Sequence, residues 1–255
     1  MSKIVNNLFG KMKESSPAFK DLFREFYFGG STFDGLKVGS SGHEFDLDVV
    51  FKGKAENCCF VGLGNDPTNK NFCFIKITAD RIGSSYEEIS ATRGNEKYLS
   101  PEMMFSLIQK TMDRVLSRID NKLDIGDEIY KITRSITNPL TIKVVGGRMS
   151  FEVDLVPSIK FDLCELSSDK TLQRHINGLC SKFKIPPENG SFMAKSLPRA
   201  DKGKFELDFH DIERQILYNR GCVKKVIKLM KYMRDEKGGP MLKLWSHLIK
   251  VSIQY

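Results

Sequence analysis

Three carboxylates, Glu44, Asp46 and Asp48, stand at every second position of EFDLDVVF, and a fourth, Asp154, ends the similar run FEVD. Alternate residues of an extended chain project to one face, so the three acids share a side while Phe45, Leu47, Val49 and Phe51 take the other. Side chains two apart lie roughly 6–7 Å from each other along a strand, so their oxygens can converge on one or two hard divalent ions. Magnesium suits such a set, because it takes one or two protein carboxylates and fills its other positions with water and substrate phosphate. Asp154 is the natural third acid, since it too lies in an apolar strand with an acid two residues before it. The bland alternative is the solvent face of an edge strand, which alternation alone also produces. Against it stands the preceding FGGSTFDGLKVGSSGH, whose Gly30-Ser31 and Gly39-Ser40 pairs expose backbone N–H groups that can cradle phosphates. Spacing leaves Glu44/Asp46 and Asp46/Asp48 equally open as the metal pair.

These residues need a scaffold, and the chain supplies its signals. From Asn7 to Phe28, Leu8, Met12, Phe19, Leu22, Phe23 and Phe26 recur at broadly helical intervals, interrupted at Ser15 to Pro17, which predicts two short helices or one kinked helix. A strand is expected from about Phe45 to Phe51, and another over Asn71 to Ile77. LSPEMMFSLIQKTMDRVLSRID reads as a helix capped by Ser100, with Pro101 in its first turn and Met104, Phe105, Ile108, Met112, Val115, Leu116 and Ile119 as its stripe. LTIKVVGGRMSFEVDLVP reads as two strands joined at Gly146-Gly147, a pair that readily adopts the positive φ of a tight turn. After Pro186-Pro187 helices are expected at Asp211–Tyr218 and Cys222–Arg234, the second burying Val223, Val226, Ile227, Met230 and Met233. MLKLWSHLIKVSIQY would be a last helix, running to the terminus without a stop signal.

With 255 residues and 40 % apolar content, the chain can bury a sizeable core. No run approaches the roughly 20 apolar residues of a membrane span, and the first residues lack the apolar core of a signal peptide, so a cytoplasmic protein without a membrane partner is expected. Cys58, Cys59, Cys73, Cys164, Cys180 and Cys222 are scattered without zinc spacing and read as reduced. The net charge is +8, and Phe192 to Tyr255 carries 14 Lys or Arg against 7 Asp or Glu. Such an excess is compatible with a polyanionic partner. Lys11, Lys13, Lys224 and Lys228 are the candidate nucleic-acid contacts, although a solvated helix face is the better explanation of the last two.

The motifs GGSTFDGLKVGSSGHEFDLDVVF, FEVDLVPSIKF, IKLMKYMRDE and WSHLIK together resemble the cyclic GMP-AMP synthase-like receptors of arthropods, within the wider male-abnormal (Mab) nucleotidyltransferase family. The resemblance runs from about Leu8 to the last residue. It implies an α+β, bilobal polymerase-beta-type nucleotidyltransferase fold: a mixed-sheet catalytic lobe with an N-terminal helix over 1–185, and a shortened helical lobe over 186–255. It further implies that Gly30-Ser31 is the phosphate-binding pair, that Glu44 and Asp46 hold Mg2+ or Mn2+ with Asp154 as third ligand, and that Asp48 is an extra acid. Glu213, Lys231, Ser246, His247 and Lys250 would contact nucleotide, His247 standing where the family usually has a base-stacking tyrosine. The implied activity is synthesis of a cyclic dinucleotide from ATP and/or GTP in antiviral innate immunity. Its activator would be double-stranded RNA, its product would be read by a STING-type receptor, and the chain could form an oligomer on its ligand.

Glu206, His247 and the short helical lobe favour a rival, a catalytically idle pseudoenzyme or binding module of the same fold, and three departures from the family pattern stand out. The family's WRxSFS segment is FELDFH here, with Glu206 in place of the arginine, and a negative group facing triphosphates opposes binding. The zinc-binding insertion of vertebrate DNA sensors is absent, which favours double-stranded RNA over DNA. The end at Tyr255 predicts an incomplete helical lobe.

Overall fold

The computed structural model describes residues 1–29, 44–53, 60–65, 72–77, 83–135, 140–147, 149–162, 177–178, 181, 191–196, 203–218 and 220–237. The chain opens with α1 (Ser2–Ser15), which buries Ile4, Val5, Leu8, Phe9 and Met12. α2 (Pro17–Leu22) follows at once: Ser16 accepts a hydrogen bond from the Phe19 N–H at 3.2 Å, and Pro17, which has no N–H to lose, occupies the first turn. The expected break at Ser15 to Pro17 is thus a change of helix. Helical spacing misleads beyond it, because Phe23–Gly29 is strand β1, antiparallel to β2 with Phe23 opposite Phe51 and Phe26 opposite Val49. The aromatic run FREFYF suits a pleated surface, and six residues are too few for apolar spacing to separate the two periods.

The strands β2 (Glu44–Phe51), β3 (Phe60–Asn65), β4 (Phe72–Ile77), β5 (Ser90–Arg93), β6 (Glu96–Leu99), β7 (Lys122–Ile125), β8 (Glu128–Arg134), β9 (Leu140–Gly146), β10 (Met149–Asp162), β11 (Ser191–Ser196) and β12 (Phe205–Asp208) form one mixed sheet with β1. The sheet runs β5-β6-β4-β12-β11-β10-β9-β8-β7, with β2 and then β1 joined to β10 and with β3 joined to β4. β10 is its spine. One edge of β10 pairs in parallel with β2, while the other pairs first with β9, as far as Leu155, and then with β11, from Ser158. Pro157, which cannot donate to a ladder, falls in the gap between those two partners.

A turn at Gly146-Gly147 joins β9 to β10. Gly147 has φ +57°, and a Cβ on Gly146 would lie 2.7 Å from the Ile129 carbonyl oxygen, so both positions demand glycine. β11 and β12 lie beyond residue 185 and still pair into this sheet, so the change to helices comes at His210 and not after Pro186-Pro187.

The sheet is amphipathic. Leu47, Val49 and Phe51 of β2, Val153, Leu155 and Ile159 of β10, and Ile142 and Val144 of β9 share the apolar face, all at most 1 % exposed. They form one core with α1, α2 and α4 (Pro101–Arg118). Ser100 caps α4 by accepting from the Met103 N–H at 3.2 Å. The stripe of α4 buries Met104, Leu107, Ile108, Met112, Val115 and Leu116, while Phe105 and Ile119 pack at its margin. A one-turn helix, α3 (Ser84–Glu87), sets Tyr86 into the same core.

Among the described residues two helices follow the sheet, α5 (His210–Leu217) and α6 (Gly221–Lys237). Here an expectation fails: Val223 and Val226 are 40 % and 56 % exposed, and Ile227 alone of the described stripe is buried, against Leu217 of α5. Met230 is half-buried, and the Met233 side chain lies outside the described residues. Periodicity identified the helix, but a stripe is buried only where another element covers it.

Candidate active site on the polar face of the sheet

The opposite face of the sheet carries the acids. Because side-chain direction alternates along a strand and register partners point the same way, pairing fixes which residues meet there. Asp46 of β2 is the partner of Asp154 of β10, although 108 positions separate them in the chain. Asp46 also pairs with Gly29 of β1, and Asp154 pairs with Thr141 of β9. One rung therefore reads Gly29, Asp46, Asp154, Thr141 across four strands. Neighbouring strands lie about 4.8 Å apart, which brings the two carboxylates side by side.

The next rung toward the start of β2 pairs Glu44 with Glu152, and Lys143 meets Glu152 at 3.6 Å. Glu44 and Asp46 are exposed and Asp154 is half-buried. Thr141 Oγ1 donates to Asp154 Oδ1 at 2.5 Å. Glu44, Asp46 and Asp154 offer only oxygen donors, which fits a hard divalent cation. They share a face, but no group of three or more His, Cys, Asp or Glu side chains among the described residues is gathered tightly enough to hold a metal as it stands.

One rung in the other direction the environment reverses. Asp48, opposite Tyr27 and Val156, is 1 % exposed. Its Oδ2 lies 2.9 Å from Lys195 Nζ, its Oδ1 accepts from Ser158 Oγ at 3.3 Å, and Lys195 Nζ reaches Asp208 Oδ2 at 2.8 Å. His210 adds a longer contact, Nδ1 to Asp208 Oδ1 at 3.7 Å, and stacks edge-on against Tyr27. Burial pushes the Asp48 carboxyl up, with Lys195 only partly offsetting it. Burial works the other way on Lys195, but the carboxylates of Asp208 and Asp48 outweigh it and hold the ammonium above the ordinary lysine range. Asp48 is thus part of a buried ion cluster that ties β2, β11 and β12 together.

A second cluster clamps α5 onto β1. Asp211, in the first turn of α5, accepts from Tyr27 Oη at 2.9 Å and from Ser191 Oγ, and lies 3.6 Å from Lys160 Nζ. Burial alone would raise its pKa, but the Ser191 and Tyr27 hydrogen bonds with the nearby Lys160 hold it below the usual carboxylate value. Arg214 donates from Nη2 to the Phe28 carbonyl at 3.0 Å and lies over the Tyr27 ring at 4.8 Å. The last residues of β1, from which the Gly30-Ser31 segment departs, are therefore held by the first helix after the sheet.

Of the residues singled out in the sequence, Glu44, Asp46 and Asp154 share this face. Glu213 is half-buried on α5, and Lys231 belongs to α6. Gly30, Ser31, Ser246, His247 and Lys250 lie outside the described residues, as does the Lys231 side chain. Lys11 and Lys13 sit on α1, where Lys13 Nζ lies over the Phe23 ring at 4.3 Å, and Lys224 and Lys228 sit on α6. Glu206 is half-buried in β12 as the register partner of Lys195, on the polar face. Sequence reasoning missed Thr141, Lys195, Asp208, His210 and Asp211. A signal for part of this was present: FELDF alternates as EFDLD does, and reading it as a strand puts Glu206 and Asp208 on one face.

Comparison with known proteins agrees with this architecture. The cyclic GMP-AMP synthase-like receptor of Aethina tumida is 26 % identical over 253 residues, covering 92 % of this chain and 59 % of that protein. The receptor of Nicrophorus vespilloides is 25 % identical over 249 residues, covering 95 % and 65 %, and cyclic GMP-AMP synthase-like receptor 1 of Drosophila melanogaster is 24 % identical over 238 residues, covering 90 % and 61 %. The chain thus spans about three fifths of the length of these relatives. Residues 32–219 match the Mab-21 protein nucleotidyltransferase domain, and the chain belongs to that family.

Proposed function

We propose that the chain is a cyclic dinucleotide synthase of the cyclic GMP-AMP synthase-like receptor type, using ATP and/or GTP and activated by double-stranded RNA. One observation carries the proposal: Asp46 and Asp154 are register partners on neighbouring parallel strands, Asp46 exposed and Asp154 half-buried. Glu44, Asp46 and Asp154 would hold Mg2+ or Mn2+, which neutralises triphosphate charge and eases loss of the attacking ribose hydroxyl's proton. Gly30-Ser31 follows Gly29, the rung partner of Asp46, in the chain and would supply the backbone N–H groups that bind phosphate. Asp154 is the acid placed toward the acceptor hydroxyl. Glu213, Lys231, Ser246, His247 and Lys250 contact the nucleotides, and Lys11, Lys13, Lys224 and Lys228 are the candidate contacts for RNA. A STING-type receptor reads the product, in the cytoplasm, and the ligand can gather several copies. No helix among the described residues is long and apolar enough to cross a membrane.

A second reading, a pseudoenzyme that binds without transferring nucleotide, is favoured by the buried cluster. Lys195 is a cation on the polar face, yet Asp48 and Asp208 occupy it on two sides and Glu206 stands opposite it in register. Product chromatography after incubation with ATP, GTP and either metal, with and without long double-stranded RNA or DNA, separates the two. The synthase yields an RNA-dependent cyclic dinucleotide that Asp46→Ala abolishes. Absence of product under every ligand, from a folded chain, would establish the pseudoenzyme.

A further inference from the structure

Thr141 holds the third acid of the proposed site, and its chemistry suits that task better than a charged partner would. In the rung Thr141, Asp154, Asp46, the Asp154 carboxylate sits between a hydroxyl and another carboxylate. Two like charges on neighbouring strands repel, and an unanchored aspartate relieves the repulsion by changing rotamer. Threonine is stiff at χ1, so its Oγ1 is a donor of fixed direction. The distance of 2.5 Å to Asp154 Oδ1 is that of a charge-assisted hydrogen bond. Oδ1 is thereby committed, while Oδ2 has no hydrogen bond or ion pair among the described residues.

The same face of β9 offers Lys143 to Glu152 one rung away, at 3.6 Å. The two partners act differently. A lysine neutralises its carboxylate and competes with any other cation for it, whereas a hydroxyl orients the carboxylate and leaves its charge in place.

We infer that Thr141 is a positioning residue for Asp154, fixing this carboxylate so that its second oxygen stays available to a divalent cation. The inference rests on the metal-dependent nucleotidyltransferase reading above. Partners that orient a metal ligand typically contribute about 10- to 100-fold in metal affinity or activity.

The test is Mn2+ binding by the full chain, followed by the electron paramagnetic resonance of free Mn2+, in the wild type and in Thr141→Val, Thr141→Ser and Asp154→Ala. Valine keeps the β-branched shape that suits the strand and removes the donor. Thr141→Val is expected to weaken Mn2+ binding at least about tenfold with Tm unchanged, and Thr141→Ser to restore most of it. Wild-type affinity in Thr141→Val, with binding lost in Asp154→Ala, would overturn the role of Thr141 and leave the nucleotidyltransferase reading standing. Equal losses in the valine and serine chains would overturn it too, since only packing would then explain them. A wild-type chain that binds no Mn2+ overturns both. Should the valine chain fail to fold, Thr141→Ala read against Thr141→Ser decides by the same criterion.

Discussion

Asp46 and Asp48 lie two residues apart on one strand and one face, yet they inhabit opposite electrostatic settings. Asp46 is exposed beside another carboxylate. Asp48 is buried with a lysine 2.9 Å away. An exposed pair of acids on neighbouring strands suits a cation from solution, whereas a buried acid must bring its own cation. The strand thus passes from an accessible acid to a buried, ion-paired one within one pleat. The structure separates Asp48 from the accessible acids, a distinction that spacing left open.

The sharpest way to break this contrast is to mutate each rung and read both activity and stability. Asp46→Ala should reduce nucleotide transfer by about a thousandfold or more, several kcal/mol of transition-state stabilisation, with the fold retained. Radiolabelled transfer with parallel thermal melts checks both halves. Transfer at the wild-type rate would remove Asp46 from the chemistry.

Lys195→Met should do the reverse first: it leaves Asp48 buried without its partner and destabilises the fold by about 3–5 kcal/mol. Denaturant unfolding measures this. Adding Asp48→Asn should recover part of the loss, because the uncompensated charge is what costs most. A Lys195→Met chain as stable as the wild type would mean that the cluster contributes no net stability.

A smaller effect belongs to the α5 clamp. Asp211 has a folded pKa below its unfolded value of about 3.9. Its contribution is therefore present above that unfolded value and is lost as pH falls through the folded one. Asp211→Asn should cost about 1.5–3 kcal/mol at neutral pH, the usual worth of hydrogen bonds to a charged group, and the wild type and variant should converge on acidification. Unfolding curves across that pH range check it, and a gap that stays constant with pH would contradict the assignment.

Much of this was legible in the chain itself, for reasons that can be stated. EFDLDVVF showed its two faces because strand alternation is local, and α4 announced itself through Ser100, Pro101 and its stripe. Gly146-Gly147 marked the hairpin because positive φ and close packing both need glycine. The rung joining Asp46 to Asp154 was not legible, since parallel register between distant segments leaves no local trace. Nor was the Lys195 cluster, whose members come from three strands and contribute one charged residue each. β1 reads as helix because Phe23 and Phe26 stand three apart, a helical spacing that the strand accommodates through its irregularity between Phe23 and Glu25, and the α6 stripe was overread because periodicity cannot say what covers it.

Calorimetry of magnesium and ATP with the wild-type chain and with Asp154→Ala tests the central claim most directly, because it reads the exposed rung without requiring turnover. A micromolar metal-dependent site is expected in the wild type, and Asp154→Ala should remove it while the melt is preserved. A site that survives Asp154→Ala, or no site in a folded wild type, would contradict that claim.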